Sequence, residues 1–232
     1  MTDYEVIKRG EQFWQIRDQF VHAYLVADDS GSLLIDTGLG LGDLKKLCVE
    51  LSGFEPTVVL THNHGDHMGG ITQFGHVYVS EPDFVEVYDR MLREGTGTVE
   101  TILPGICRIL PDTDLEIVPL PGHTQGSLGI LDTHYRRFFI GDYLSYTPVY
   151  MCLPGADMKA FQESLQRIQS LKDMYDELYT GHETSPVPDE LLLDMLELVK
   201  LYHQGAARTE KALYFDQYPC RKISYRSASI LI

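Results

Sequence analysis

The apolar positions of this chain fall in short runs separated by turn-forming residues. Residues 13–17 and 21–26 are rich in β-forming side chains, and Gly31 breaks the chain before Leu33-Leu34-Ile35. That run ends in Asp36-Thr37-Gly38, a turn. From residue 43 to 51 the apolar side chains Leu44, Leu47, Cys48 and Leu51 recur at helical spacing, and Gly53 follows as a stop signal. Thr57-Val58-Val59-Leu60 reads as a buried strand and Val77-Tyr78-Val79 as another. Pro82 opens a helix carrying Phe84, Val85, Tyr88 and Met91. The second half repeats the alternation. Strands are expected at 115–118, 127–131, 136–140 and 177–179, with helices at 158–171 and, after Pro188, at 189–202. The tail from 209 to 232 reads as two or three strands with Pro219 in a turn. No Ser/Gly linker interrupts this order. A single α/β domain over 1–232 is expected, built from two similar halves, with a strand-rich C-terminal extension at 206–232.

Composition narrows the class of function. Hydrophobic residues at 44% and charged residues at 23% are ordinary for a globular chain and exclude a disordered one. Lys plus Arg number 19 against 34 Asp plus Glu, a formal charge of −15, which argues against nucleic acid as a partner because phosphates need basic surface. A small-molecule substrate remains open, even an anionic one, since bound metal inverts local charge. The cysteines Cys48, Cys107, Cys152 and Cys220 form no CxxC pair and read as reduced thiols of a cytoplasmic protein. The start, Met1-Thr2-Asp3-Tyr4-Glu5, is polar, and no stretch nears 18 consecutive apolar residues, so no membrane segment is expected. Nothing in the pattern indicates an oligomeric state.

The chemistry is concentrated in Thr61-His62-Asn63-His64-Gly65-Asp66-His67-Met68-Gly69-Gly70, directly after the strand ending at Leu60. His62 and His64, two apart, point the same way from an extended segment. Asp66 and His67 fall where the chain must turn, and the glycines permit it. Imidazole nitrogen with carboxylate oxygen suits Zn²⁺, Fe or Mn²⁺. A chance H-x-H-x-D-H is expected in roughly one such chain per thousand, so a polar loop with incidental histidines is the weaker reading. Three further residues repeat one placement. His123 lies in Pro121-Gly122-His123-Thr124 after a strand. Asp142 follows a strand and Gly141, and His182 follows a strand and Gly181. Alone, each reads as a strand-end polar residue.

In these motifs the sequence resembles the metallo-β-lactamase superfamily, over most of the chain from Phe20 to about Tyr202. The resemblance rests on Leu34-Ile35-Asp36-Thr37-Gly38, His62 to Gly70, Pro121-Gly122-His123-Thr124, Gly141-Asp142 and Gly181-His182-Glu183, in family order. It implies a four-layer αββα sandwich with metals at one sheet edge. It further implies two divalent ions, zinc first, with iron or manganese as alternatives. His62, His64 and His123 would hold one ion, Asp66, His67 and His182 the other, with Asp142 bridging. Asp36 would orient the metal histidines or simply form a turn.

The function so implied is hydrolysis of a small thioester, ester or lactone by a metal-bridging hydroxide, with Asp66 also orienting the nucleophile. The motif set is closest to glyoxalase II and the lactonases. True β-lactamases of the main type carry cysteine where Asp142 stands, and the diiron flavoproteins carry Glu in place of His64. Glyoxalase II has a longer C-terminal helical part, and quorum-quenching lactonases place Tyr where Ser145 stands. Two alternatives remain: a small-molecule phosphodiesterase, and an iron-dependent persulfide-type oxygenase, which binds one iron. Tyr143, Tyr146, Tyr150 and His22 are candidates for substrate contact, each also readable as packing or surface. The tail with Tyr214, Tyr218, Arg221, Tyr225 and Arg226 either covers the site or extends a sheet.

Overall fold

The computed structural model describes residues 4–110, 113–183 and 185–232; Met1, Thr2 and Asp3 of the polar start lie outside them. Its first sheet runs in spatial order β1 (Glu5–Gly10), β2 (Phe13–Asp18), β3 (Val21–Ala27), β4 (Ser32–Ile35), β5 (Thr57–Val59), β6 (His76–Val79), β7 (Thr98–Thr101). The pairs are antiparallel as far as β4 and parallel from β4 onward. Parallel neighbours need crossovers. Helix α1 (Leu44–Ser52) lies between β4 and β5, and α2 (Phe84–Glu94) between β6 and β7. Local signals set the bounds of α1. The Asp43 carboxylate accepts a hydrogen bond from Lys46 N, and Gly53 closes the helix in the left-handed conformation at φ 83°.

The second sheet takes β8 (Gly105–Cys107), β9 (Leu115–Pro119), β10 (Leu128–Asp132) and β11 (Arg137–Phe139). The short β12 (Val149–Tyr150) leaves it, α3 (Met158–Ser170) follows, and β13 (Glu177–Tyr179) returns parallel to β11, giving the order β13-β11-β10-β9-β8. After α4 (Asp189–His203), strands β14 (Arg208–Tyr214), β15 (Tyr218–Tyr225) and β16 (Ala228–Leu231) join β12 in a third sheet, ordered β12-β16-β15-β14.

Strand side chains alternate between two faces, and this alternation builds the layers. Phe13, Tyr24, Val26 and Ile35 of the first sheet meet Ile130, Phe139 and Tyr179 of the second in the central core. Trp14, Leu25 and Leu34, on the opposite face, pack with Leu44 and Cys48 of α1 and Val87 and Met91 of α2. On the far side of the second sheet, Leu131 and Phe138 pack with Phe161 and Leu165 of α3 and Met195 and Leu198 of α4. The result is the four-layer αββα sandwich of the metallo-β-lactamase type. Among the described residues no helix is long and apolar enough to cross a membrane.

The structure corrects the tail. Pro219 lies inside β15, opposite Leu213, and the turn is formed by residues 215–217. Proline is tolerated there because pairing towards β16 reaches only as far as Arg221, which exchanges hydrogen bonds with Ile232. The additional strands β1, β7, β8 and β12 lie at sheet edges, where mixed exposure hides them from hydrophobic patterning.

Candidate metal centre

Every predicted metal-site residue follows a strand end, Asp142 in a short 3-10 turn (Gly141–Tyr143) and the others in loops, and the two facing sheets bring these segments together. His62, His64, His123 and Asp142 form one group whose ligand atoms lie within 4.8 Å of one another; Asp66, His67 and His182 form a second. Asp142 stands between them. Its Oδ2 is 3.6 Å from His123 Nε2 and 4.0 Å from His62 Nε2, and 3.0 Å from His182 Nε2 on the other side. Its Oδ1 faces His67 Nε2 at 3.2 Å.

Hydrogen bonds around the rims fix which nitrogen of His62, His67 and His182 faces inward. The Thr61 hydroxyl donates to Asp36 Oδ2 at 2.7 Å, so it accepts from His62 Nδ1–H at 3.0 Å and leaves the His62 Nε2 lone pair directed inward. His67 Nδ1 donates to Asp36 Oδ2 at 2.8 Å and His182 Nδ1 to the Phe20 carbonyl at 3.1 Å. Carboxylate and carbonyl partners of this kind orient metal-binding imidazoles. Asp36 therefore unites its two expected roles. It turns the chain with φ 60°, and its buried carboxylate also binds Thr61 N at 2.7 Å.

The inward-facing atoms fit divalent cations. His64 Nδ1 lies 3.1 Å from His62 Nε2 and 3.0 Å from His123 Nε2, while a zinc tetrahedron with ordinary Zn–N bonds has nitrogens about 3.3 Å apart. In the second group, imidazole lone pairs face carboxylate oxygens, and the buried His67 Nε2 and Asp142 Oδ1 have no hydrogen-bond partner. Such an arrangement requires a positive charge between the donors. Room for it is kept by Gly181, where a side chain would overlap Asp142 Oδ1 and the His67 ring.

Electrostatics divide the rings. Burial drives His62 well below the usual histidine value and His123 down to about 3, keeping both neutral and able to donate lone pairs. Burial also lowers His64. At His67 burial acts in the same direction, but Asp142 and Asp36 outweigh it and hold the ring well above its usual value. His182 is raised too, by Asp142 and Asp66 against burial, while His182 and His67 outweigh burial at the partly buried Asp142 and hold it well below the usual carboxylate range.

Several supporting residues carry no sequence signal. Asp83, just before α2, accepts from Asn63 N, Thr124 Oγ1 and Gly126 N, each at 3.1 Å, clamping the first histidine loop to that of His123. Phe20 stacks on His182 with ring centroids 6.0 Å apart. Glu183 accepts from Ser145 Oγ at 2.6 Å and Tyr146 N at 2.8 Å, fixing the loop after Asp142. Of the substrate-contact candidates, Tyr143 is core: it stacks on Phe161 and its hydroxyl donates to the Leu120 carbonyl. His22 is buried against Gln15, with its Nδ1 2.9 Å from Gln15 Nε2. Tyr146 is half exposed beside the site. Tyr150, with Tyr214 from the tail, lines a cavity of about 640 Å³ that opens onto His64, Asp66, Asp142 and His182. The tail forms a sheet of its own with β12 and walls the site through Tyr214 and Phe215.

A family profile described as the metallo-beta-lactamase superfamily matches residues 16–182. The chain belongs to that superfamily. It is 30% identical over 141 residues, 61% of its length, to a hydroxyacylglutathione hydrolase of Edwardsiella ictaluri, covering 53% of that protein. It is 26% identical over 213 residues to an acyl-coenzyme A thioesterase of Gallus gallus, covering 73% of this chain and 76% of that one. It spans between 53% and 61% of the length of the first three curated relatives it matches. A metallo-beta-lactamase from Pontibacter korlensis shares the fold with a TM-score of 0.70 at 22% identity, over 85% of this chain and 99% of that one.

Proposed function

We infer that the protein is a dinuclear metal-dependent hydrolase of a small ester, thioester or lactone. One observation carries this reading: seven His and Asp side chains converge in two groups with Asp142 between them, at the mouth of a cavity large enough for a small molecule. His62, His64 and His123 would hold the first ion, Asp66, His67 and His182 the second, and Asp142 both. When bound, two such ions, with zinc first in expectation, supply an acidified water and a Lewis acid for the carbonyl oxygen.

The chain's own residues supply the rest. Neutral His62, His64 and His123 direct lone pairs at one point; Thr61 orients His62, and Asp83 ties the loop of His64 to that of His123. Asp66, with its side chain 26% exposed at the cavity wall, is placed to accept a hydrogen bond from an attacking water and take up its proton. Phe20 and Leu144 put apolar surface on the cavity wall beside these groups. Hydrolases named for thioester substrates among the relatives support the bond type. A phosphodiester is less well served, since among the described residues no Lys or Arg lines the cavity to meet its charge.

Elemental analysis of the purified protein, followed by a panel of thioesters, lactones and phosphodiesters, tests the reading. Two ions per chain with turnover of carboxylic esters is the expected result. A single iron with oxygen uptake on a persulfide would replace it with an oxygenase.

A further inference from the structure

The cavity beside the metal-site residues is walled chiefly by apolar side chains: Phe20, Leu39, Leu144, Val149, Tyr214 and Phe215. A smaller cavity of about 520 Å³ shares His64, Gly65 and Leu153 with it and is also lined by Glu86 and Asp83. Among the described residues, neither contains a Lys or Arg. Anionic carriers such as a coenzyme A diphosphate or the carboxylates of glutathione are ordinarily met by basic side chains. Here a carrier reaching past the metal-site residues would meet Glu86 and no basic side chain, in a chain of net charge −15.

The tip of the β14–β15 hairpin adds an independent observation. Gln217 N bonds the Tyr214 carbonyl at 3.1 Å, and the two residues between, Phe215 and Asp216, both adopt left-handed backbone, φ 47° and 54°. Turns of this shape are ordinarily Asn-Gly or Asp-Gly, and a bulky side chain there is costly. Phe215 is nevertheless present, 64% exposed, and contributes to the cavity wall beside Tyr214 and Tyr150. A large aromatic held on a strained, solvent-facing tip does nothing for the core; it offers apolar surface to whatever enters the cavity.

We propose that this cavity receives the acyl chain of an uncharged ester, thioester or lactone, and that Phe215 and Tyr214 at the hairpin tip set the chain length preferred. The proposal rests on the hydrolase reading above and adds the substrate's chemical class: an apolar acyl group on a carrier without negative charge.

The test uses the zinc-loaded full chain and p-nitrophenyl esters from acetyl to octanoyl. Each methylene buried against the wall contributes about 0.8 kcal/mol, so kcat/KM rises about fourfold per methylene until the cavity is filled. Phe215→Ala lowers the octanoyl-to-acetyl ratio about tenfold, which is roughly half of what burying a whole phenylalanine contributes, while Phe215→Leu keeps most of it. The octanoyl thioester of N-acetylcysteamine is turned over faster than octanoyl-coenzyme A, which carries the same acyl group on an anionic carrier. In parallel, calorimetry measures binding of the N-methyl amides of the same acids. A binding series that steepens with chain length supports the proposal even if no ester is hydrolysed, in which case the hydrolase reading fails alone. A flat chain-length profile in both binding and turnover, or a preference for octanoyl-coenzyme A, overturns the proposal and leaves the hydrolase reading intact.

Discussion

Replacing Asp83 by alanine tests whether the site depends on a clamp that touches none of the predicted ligands. Asp83 is buried and joins two loops through Asn63 N, Gly126 N and Thr124 Oγ1. In the alanine variant the Thr124 hydroxyl keeps a partner, Ser127 Oγ at 2.8 Å, and Asn63 N is only partly buried and can take water. Gly126 N is buried and loses its acceptor, at a cost of about 1–3 kcal/mol. Burial raises the Asp83 pKa and the three donors offset part of that rise, so relief of the buried carboxylate returns some of the loss. A net loss of about 2 kcal/mol remains, or about 4–8 °C in melting temperature for a chain of this size. The larger effect falls on the ligands. With His64 and His123 no longer held in register, zinc affinity drops about 10–100-fold, as when outer partners of metal ligands are removed. Thermal melts of zinc-free and zinc-loaded protein, with a chromophoric chelator competing for zinc, measure both terms. Asp83→Asn falls between, because its amide restores an acceptor but turns an NH₂ towards one of the donors. A variant melting within about 1 °C of the parent with unchanged zinc affinity refutes the clamp.

Three further outcomes are expected. His64→Ala abolishes hydrolysis and removes the stabilisation that zinc confers, while His134→Ala, exposed in the β10–β11 turn, does neither; activity assays and melts with and without zinc separate them. Asp142→Asn keeps its shape but loses the charge between the two groups, so the first ion, with three imidazoles, binds more tightly than the second, and titration against activity shows turnover falling further than first-site occupancy. His22 is buried with its pKa lowered to about 4, by burial first and then by Arg17, so the unfolded chain gains a proton between pH 6.5 and 4 that the folded chain refuses. Stability from this ring is therefore present above pH 6.5 and lost on acidification through that window, by up to about 3 kcal/mol, and His22→Gln flattens that part of the denaturant-measured pH profile.

The legible part of this protein was the part whose information is local. Asp43 and Gly53 bound α1 because a cap acts within one turn, and H-x-H-x-D-H stands out because four donor side chains lie on one loop. His123, Asp142 and His182 are single residues after strands, and only their company gives them meaning. Asp83 reads as an ordinary acidic residue before a helix because its partners Thr124 and Gly126 lie 41 and 43 positions away. Tyr143, next to Asp142, could be read as a substrate phenol; the packing against Phe161 that makes it core is invisible in a one-dimensional pattern. Phe215 was hidden for the opposite reason, since a turn sequence without glycine gives no hint of left-handed backbone.

Each candidate ligand group draws on both halves of the chain: His62 and His64 meet His123 and Asp142, while Asp66 and His67 meet His182. A chain with only one half folded therefore presents two donors of the four in the first group, too few for tight zinc binding. An ion joining His64 to His123 closes a loop of 59 residues, and a cross-link of that length removes about 4 kcal/mol of freedom from the unfolded ensemble. Metal uptake is in this sense a check on assembly. An ion bound there would be retained only by molecules in which both sheets have formed and docked, and would act as a reversible staple holding the two halves together across the seam where the substrate would enter.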